Sequence, residues 1–164
     1  MTDYGLLAKQ IVSLSEIDAH WLPVLSNAAA LLWDALDDIN WAGFYLVDPA
    51  TVTGGGSSTP ELRLGPFQGK VACVRIPFGR GVCGTAAATK TSQLVEDVHQ
   101  FPGHIACDSA SNSEVVIPIF KNGQVVGVLD IDSPNVARFT QEDLAGLEQV
   151  VKALESCTNF SAFC

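Results

Sequence analysis

The sequence predicts an α+β domain built on a mainly antiparallel sheet. Two amphipathic stretches come before any strand, and the strands that follow are not alternated regularly with helices. Val115 to Phe120 and Gln124 to Ile131 are apolar runs separated only by Lys121-Asn122-Gly123, which reads as a hairpin.

Taken in order, Leu6 to Leu14 forms a short helix. Ala19 to Leu36 sets Leu22, Leu25, Ala29, Leu32 and Trp33 at helical spacing, with Pro23 in the first turn, where proline is tolerated. Trp41 to Val47 is rich in strand formers, and the glycine-serine run from Thr53 to Pro60 is a loop. Glu61 to Gly65 and Ala72 to Ile76 follow as short strands. Gly81 to Ala88 is a short helix after a glycine-rich turn, and Gln93 to Glu96 a further strand. Thr140 caps the last helix, whose first turn holds Gln141, Glu142 and Asp143. Its apolar face carries Leu144, Leu147, Val150, Val151 and Leu154, and the segment after Cys157 has no pattern and is expected to be loose.

The 164 residues fit one domain, and at 48% hydrophobic they can fill a substantial core. No apolar run is long enough to span a bilayer, and Met1-Thr2-Asp3-Tyr4 lacks the order of a secretion signal. A soluble, cytoplasmic protein is expected. The net charge of −9, with no basic stripe, argues against a nucleic-acid partner. The five cysteines, Cys73, Cys83, Cys107, Cys157 and Cys164, are an odd number, which argues against a purely structural disulfide framework.

Asp130 and Asp132 share one face of their strand, because successive side chains alternate. Lys121-Asn122-Gly123 suits a three-residue loop with glycine in the left-handed conformation. That register pairs Phe120 with Gln124 and sets Glu114 opposite Asp130, gathering Glu114, Asp130 and Asp132 on one patch. Under a two-residue turn Glu114 faces away. Three carboxylates held together cannot all ionise cheaply, so at least one keeps a proton near neutrality. A hard-cation site is the rival reading, but the calcium-loop spacing is absent.

Cys83 lies at the start of a predicted helix, where free amides and the helix dipole stabilise a thiolate, with Arg80 close by in sequence. Cys107 lies in a loop leading to Glu114, three residues after His104, which supports a thiolate if the loop turns. Cys73, on a short apolar strand, reads alone as core. His104, Cys107, Cys73 and Cys83 are four nominal zinc ligands, but no Cys-x₂₋₄-Cys pair nucleates such a site. Trp41, Gly43 and Tyr45 alternate onto one face, and the glycine leaves a slot between the rings wide enough for a ligand.

These segments together resemble the free methionine-(R)-sulfoxide reductases. The matching runs are Asn40-Trp41-Ala42-Gly43-Phe44-Tyr45, Gly81-Val82-Cys83-Gly84-Thr85-Ala86, Val95-Glu96-Asp97-Val98-His99 and Gly103-His104-Ile105-Ala106-Cys107-Asp108. Ser111-Asn112-Ser113-Glu114 and Gly127-Val128-Leu129-Asp130-Ile131-Asp132-Ser133-Pro134 complete them. The resemblance spans Leu6 to Leu154. It implies a GAF-like fold over residues 1–156, with a six-stranded antiparallel sheet, flanking helices and a closed pocket on one face.

It also implies a homodimer that reduces free L-methionine (R)-S-oxide and is regenerated by thioredoxin, ultimately from NADPH through thioredoxin reductase, with no bound cofactor or metal. The family's cysteines match Cys73, Cys83 and Cys107; its pocket carboxylates match Glu114, Asp130 and Asp132; its aromatic wall matches Trp41 and Tyr45. The glycine-serine loop near Gly54, Cys157 and Cys164 lie outside the pattern. On this reading Cys107 attacks the sulfoxide sulfur, a carboxyl protonates its oxygen, and a second thiol closes a disulfide. Cys83 is the first choice for that thiol and Cys73 the second. A ligand-binding sensor and a redox switch are the alternatives.

Overall fold

The structure is a computed structural model that describes residues 1–53, 59–105, 107 and 109–164. The expected glycine-serine loop falls largely outside the described residues. Two helices lead, α1 (Tyr4–Ser15) and α2 (Trp21–Ala35). Asp3 caps α1 by accepting from the Leu6 amide, and the His20 ring accepts from the Leu22 amide at the start of α2. Then come β1 (Trp41–Val47), the short α3 (Pro49–Thr53), β2 (Glu61–Gly69), β3 (Arg75–Pro77), α4 (Gly81–Thr89) and β4 (Gln93–Val95). The hairpin β5 (Ser113–Lys121) and β6 (Gln124–Ser133) precedes α5 (Gln141–Cys157). Among the described residues the strands form one six-stranded antiparallel sheet in the order β3-β2-β1-β6-β5-β4.

Both faces of this sheet are covered, which is why every residue of β1 is buried. On one face Ala42, Phe44, Leu46, Val115, Ile117, Leu129 and Ile131 pack against α1, α2 and α5. The other face carries Trp41, Tyr45, Val116 and Val128 beneath α4, and it is this face that presents the carboxylates. Thr140 caps α5 in a reciprocal box with Asp143, as its sequence predicts.

Four expectations about the backbone are corrected. The β5–β6 connection is a two-residue turn, Lys121 pairing with Gln124. Asn122 and Gly123 both have positive φ, 51° and 75°, the combination an Asn-Gly hairpin turn uses. A bulge then inserts Val126, so that Phe120 pairs with Val125 but Ile119 with Gly127. The extra residue restores the parity that the tighter turn removes. Glu114 therefore faces the aspartates after all, opposite Asp132 rather than Asp130.

The slot expected at Gly43 is not open. A Cβ there would lie 2.3 Å from Phe67 Cβ and 2.7 Å from its Cα. Gly43 admits the backbone of a bulge in β2, and the Phe67 ring stacks on Trp41 at 5.2 Å.

The strand expected over Ala72 to Ile76 forms only from Arg75 onward, so Cys73 sits in the loop before β3. The segment after Cys157 is not loose: Phe160 is fully buried in the helix-side core, Asn159 bridges to His20, and Ser161–Phe163 forms a short 3₁₀ turn.

Candidate active site

The pocket opens where the β1–β6–β5 face meets α4 and the loops carrying Cys73 and Cys107. Its floor is a row across three strands. Trp41 pairs with Asp132, and Asp132 pairs with Glu114. One pair further along, Gly43 is level with Asp130, and Asp130 with Val116. Glu114 and Asp130 are only 6% and 5% exposed, which makes their charges expensive.

Burial is the largest cause of the shift at each acid. It raises the Asp130 carboxyl to about 6, even though hydrogen bonds from Glu114 and Cys83 pull it down. Glu114 is pushed well above the usual carboxylate range by burial and then by the charges of Asp130 and Asp132. The pair therefore shares its protons: Glu114 gives up its proton after Asp130 does, and it donates that proton to Asp130. Asp130 Oδ1 is buried with no hydrogen-bond partner among the described residues.

Cys83 projects from the first turn of α4 into the same cluster. Its Sγ is 3.8 Å from Glu114 Oε1. The expected acidic thiol is corrected: burial, then the charges of Asp130, Glu114 and Asp132, push this thiol well above its ordinary value. The helix dipole is outweighed because the thiol is buried and surrounded by acids. Arg80, at the N-cap of α4, lines the pocket but is exposed.

Cys107 is joined to Cys73 by a disulfide, with the two Cα atoms 5.4 Å apart. The preference for Cys83 as the partner of Cys107 is thereby corrected; Cys83 is a free thiol. Two pocket rings hold the Cys73 loop. Tyr45 donates its hydroxyl to the Cys73 carbonyl at 2.9 Å, and Trp41 Nε1 donates to the Lys70 carbonyl at 3.2 Å. Trp41 and Tyr45 stack with centroids 5.7 Å apart, and both line the pocket.

His104 turns towards the acids: its Nε2 lies 3.8 Å from Glu114 Oε2. Burial, then neighbouring His99, lowers the His104 pKa, so the ring is neutral at pH 7. Asn112 anchors the segment behind it, facing His99 Nε2 at 3.0 Å and donating to the Pro134 carbonyl.

Neither Phe67 nor Ile105, which packs over Gly81, was legible as a site residue. Ile105 lines the pocket from its loop, and Phe67 backs the pocket's Trp41 from the β2 bulge, geometry that periodicity does not report. The nominal zinc quartet does not assemble, since Cys73 and Cys107 are bonded to each other. The ligand-type atoms that do converge, within 4.8 Å, are those of Cys83, Glu114 and Asp130.

The fold and this pocket define a class. A GAF-domain family model matches residues 24–156. The chain is 53% identical to the free methionine-R-sulfoxide reductase of Escherichia coli over 93% of its length and 86% of that protein's. It is 48% identical to the enzyme of the same name from Saccharomyces cerevisiae, over 88% and 79% of the two chains. The Staphylococcus aureus fRMsr, solved in complex with substrate, superposes with a TM-score of 0.85 at 51% identity, covering 97% of each chain. The chain belongs to the free methionine-R-sulfoxide reductase family of GAF domains.

Proposed function

We propose that this protein reduces free L-methionine (R)-S-oxide to L-methionine. The observation that carries the reading is the disulfide of Cys107, which lines a pocket floored by Glu114, Asp130 and Asp132.

In the reduced protein the Cys107 thiolate bonds to the sulfoxide sulfur while Glu114, which burial keeps protonated, gives its proton to the sulfoxide oxygen. The oxygen passes to Cys107 as methionine leaves with the electron pair. The substrate gains two electrons, and Cys107 becomes a sulfenic acid. The Cys73 thiol then attacks Cys107, water leaves, and the disulfide closes.

Asp130, ionised above about pH 6, offers its unpartnered oxygen to the ammonium group of a free amino acid. A residue inside a polypeptide has no such group. Amides at the start of α4 bind the substrate carboxylate, and Trp41 packs against the S-methyl group. Thioredoxin reopens the disulfide by exchange. The working form is a homodimer in the cytoplasm, needing no bound cofactor or metal. No helix among the described residues is long and apolar enough to cross a membrane.

The test is turnover of resolved (R) and (S) free sulfoxides with dithiothreitol as reductant. Multiple turnovers on the (R) form alone support the proposal. Binding without turnover would make the protein a sensor, and thiol oxidation without methionine release would make it a redox switch.

A further inference from the structure

The loop carrying Cys73 differs in character from the rest of this acidic chain. The sequence holds eighteen Asp and Glu against nine Lys and Arg, yet Gly69 to Arg80 contains Lys70, Arg75 and Arg80 and no acid. Arg75 is engaged, 3.2 Å from Glu61 Oε2. Lys70 and Arg80 are exposed and have no ion-pair partner among the described residues. Within the same loop, Val71 is 89% and Val74 63% exposed, flanking half-buried Cys73 on both sides. Aliphatic side chains held out in water beside a bond that must be opened in every cycle mark a contact surface.

We propose that Lys70, Val71 and Val74 form the docking surface for an external dithiol protein, and that its thiolate attacks the sulfur of Cys73. This rests on the reductase reading, which makes the disulfide an obligatory intermediate. The occupant is a protein with an acidic rim and an apolar surface around its own cysteines, since cations at the edge steer such a partner and valines seat it.

Attack at Cys73 forms a mixed disulfide between the partner and Cys73, breaks the Cys73–Cys107 bond, and releases Cys107 as a thiolate inside the pocket, ready for the next substrate. The partner's second thiol then attacks its own first sulfur. Cys73 leaves as a thiol after taking up a proton, and the partner carries away the two electrons' worth of oxidation as its own disulfide.

Two measurements test this on the full chain. Turnover is compared in the wild type and in a Lys70→Glu, Val74→Asp double variant, with reduced thioredoxin and separately with dithiothreitol. The expected result is a fall of tenfold or more in kcat/KM for thioredoxin with the dithiothreitol-supported rate unchanged. An unchanged thioredoxin kcat/KM, or a parallel fall with both reductants, would overturn the inference. So would a change in oligomeric state accompanying that parallel fall, which would make the surface a contact between copies of this chain.

In the second measurement, thioredoxin lacking its second cysteine is reacted with the oxidised protein and the adduct is mapped by mass spectrometry. Linkage to Cys73 supports the proposal, and linkage to Cys107 overturns it. Wild-type protein that turns over with neither reductant would instead sink the reductase reading itself.

Discussion

Glu114 lies directly opposite Asp132 across the β5–β6 ladder, and the alignment depends on one inserted residue, Val126, near the hairpin turn. The bulge corrects for a turn one residue shorter than the three-residue loop that Lys121-Asn122-Gly123 suggests. It brings buried Glu114 beside buried Asp130 and half-buried Asp132, and the pocket's proton chemistry follows from that crowding.

Replacing Glu114 by Gln removes the transferable proton while keeping shape and hydrogen bonding. General acid catalysis is worth about 10²–10⁴-fold, so methionine formation in Glu114→Gln should slow by at least ~100-fold, with little change in the melting temperature. Rapid-quench measurement of methionine release checks this.

The two acids also set a pH profile. Substrate capture needs Asp130 ionised, so kcat/KM should rise with pH through about 6. Proton donation needs Glu114 neutral, and its raised pKa places the falling limb at higher pH than the rising one. A bell-shaped profile is expected, its limbs belonging to the coupled pair. In Glu114→Gln the residual activity should keep the rising limb and lose the falling one.

Stability carries the same signature. Asp130 has a folded pKa raised from 3.8 to about 6, so its contribution is fully present below pH ~4 and is lost as pH rises through 6. Asp130→Asn removes that loss. The variant should be more stable than wild type at pH 7, by on the order of 1–3 kcal/mol, and show little gain at pH 4. Urea unfolding at the two pH values distinguishes this from a general repacking effect.

The thiols separate cleanly. Cys73→Ser should complete one turnover and stop at the Cys107 sulfenic acid, detectable with a dimedone-type reagent. Cys83→Ser should still close the Cys73–Cys107 disulfide, because Cys83 takes no part in that bond. Non-reducing peptide mapping after one equivalent of sulfoxide reports both outcomes.

The end of the chain is structural. Phe160 is 0% exposed, and Phe160→Ala should cost about 3–5 kcal/mol, read as a lower denaturation midpoint with the active-site thiol count unchanged.

Much of this was legible from residue order. The strands, the capped final helix and the shared face of Asp130 and Asp132 follow from periodicity and capping chemistry. What escaped depended on contacts between distant segments. Cys83 reads as an acidic thiol when only its helix is considered, and becomes a weak acid once Asp130 and Glu114 close over it. Gly43 reads as a ligand slot, but Phe67 arrives from β2 to fill it. Phe160 carries no periodic signal, because its burial depends on a bridge between Asn159 and His20. The Val126 bulge is invisible to alternation, since an apolar residue there fits either register.

The most direct test is a single-turnover experiment with reductant-free protein and one equivalent of free methionine (R)-S-oxide, counting methionine released and thiols lost. The wild type should release one equivalent and lose two thiols, mapped to positions 73 and 107, while Cys107→Ser releases none. Methionine release by Cys107→Ser, or loss of thiols at other positions in the wild type, would contradict the assignment of Cys107 as the attacking sulfur.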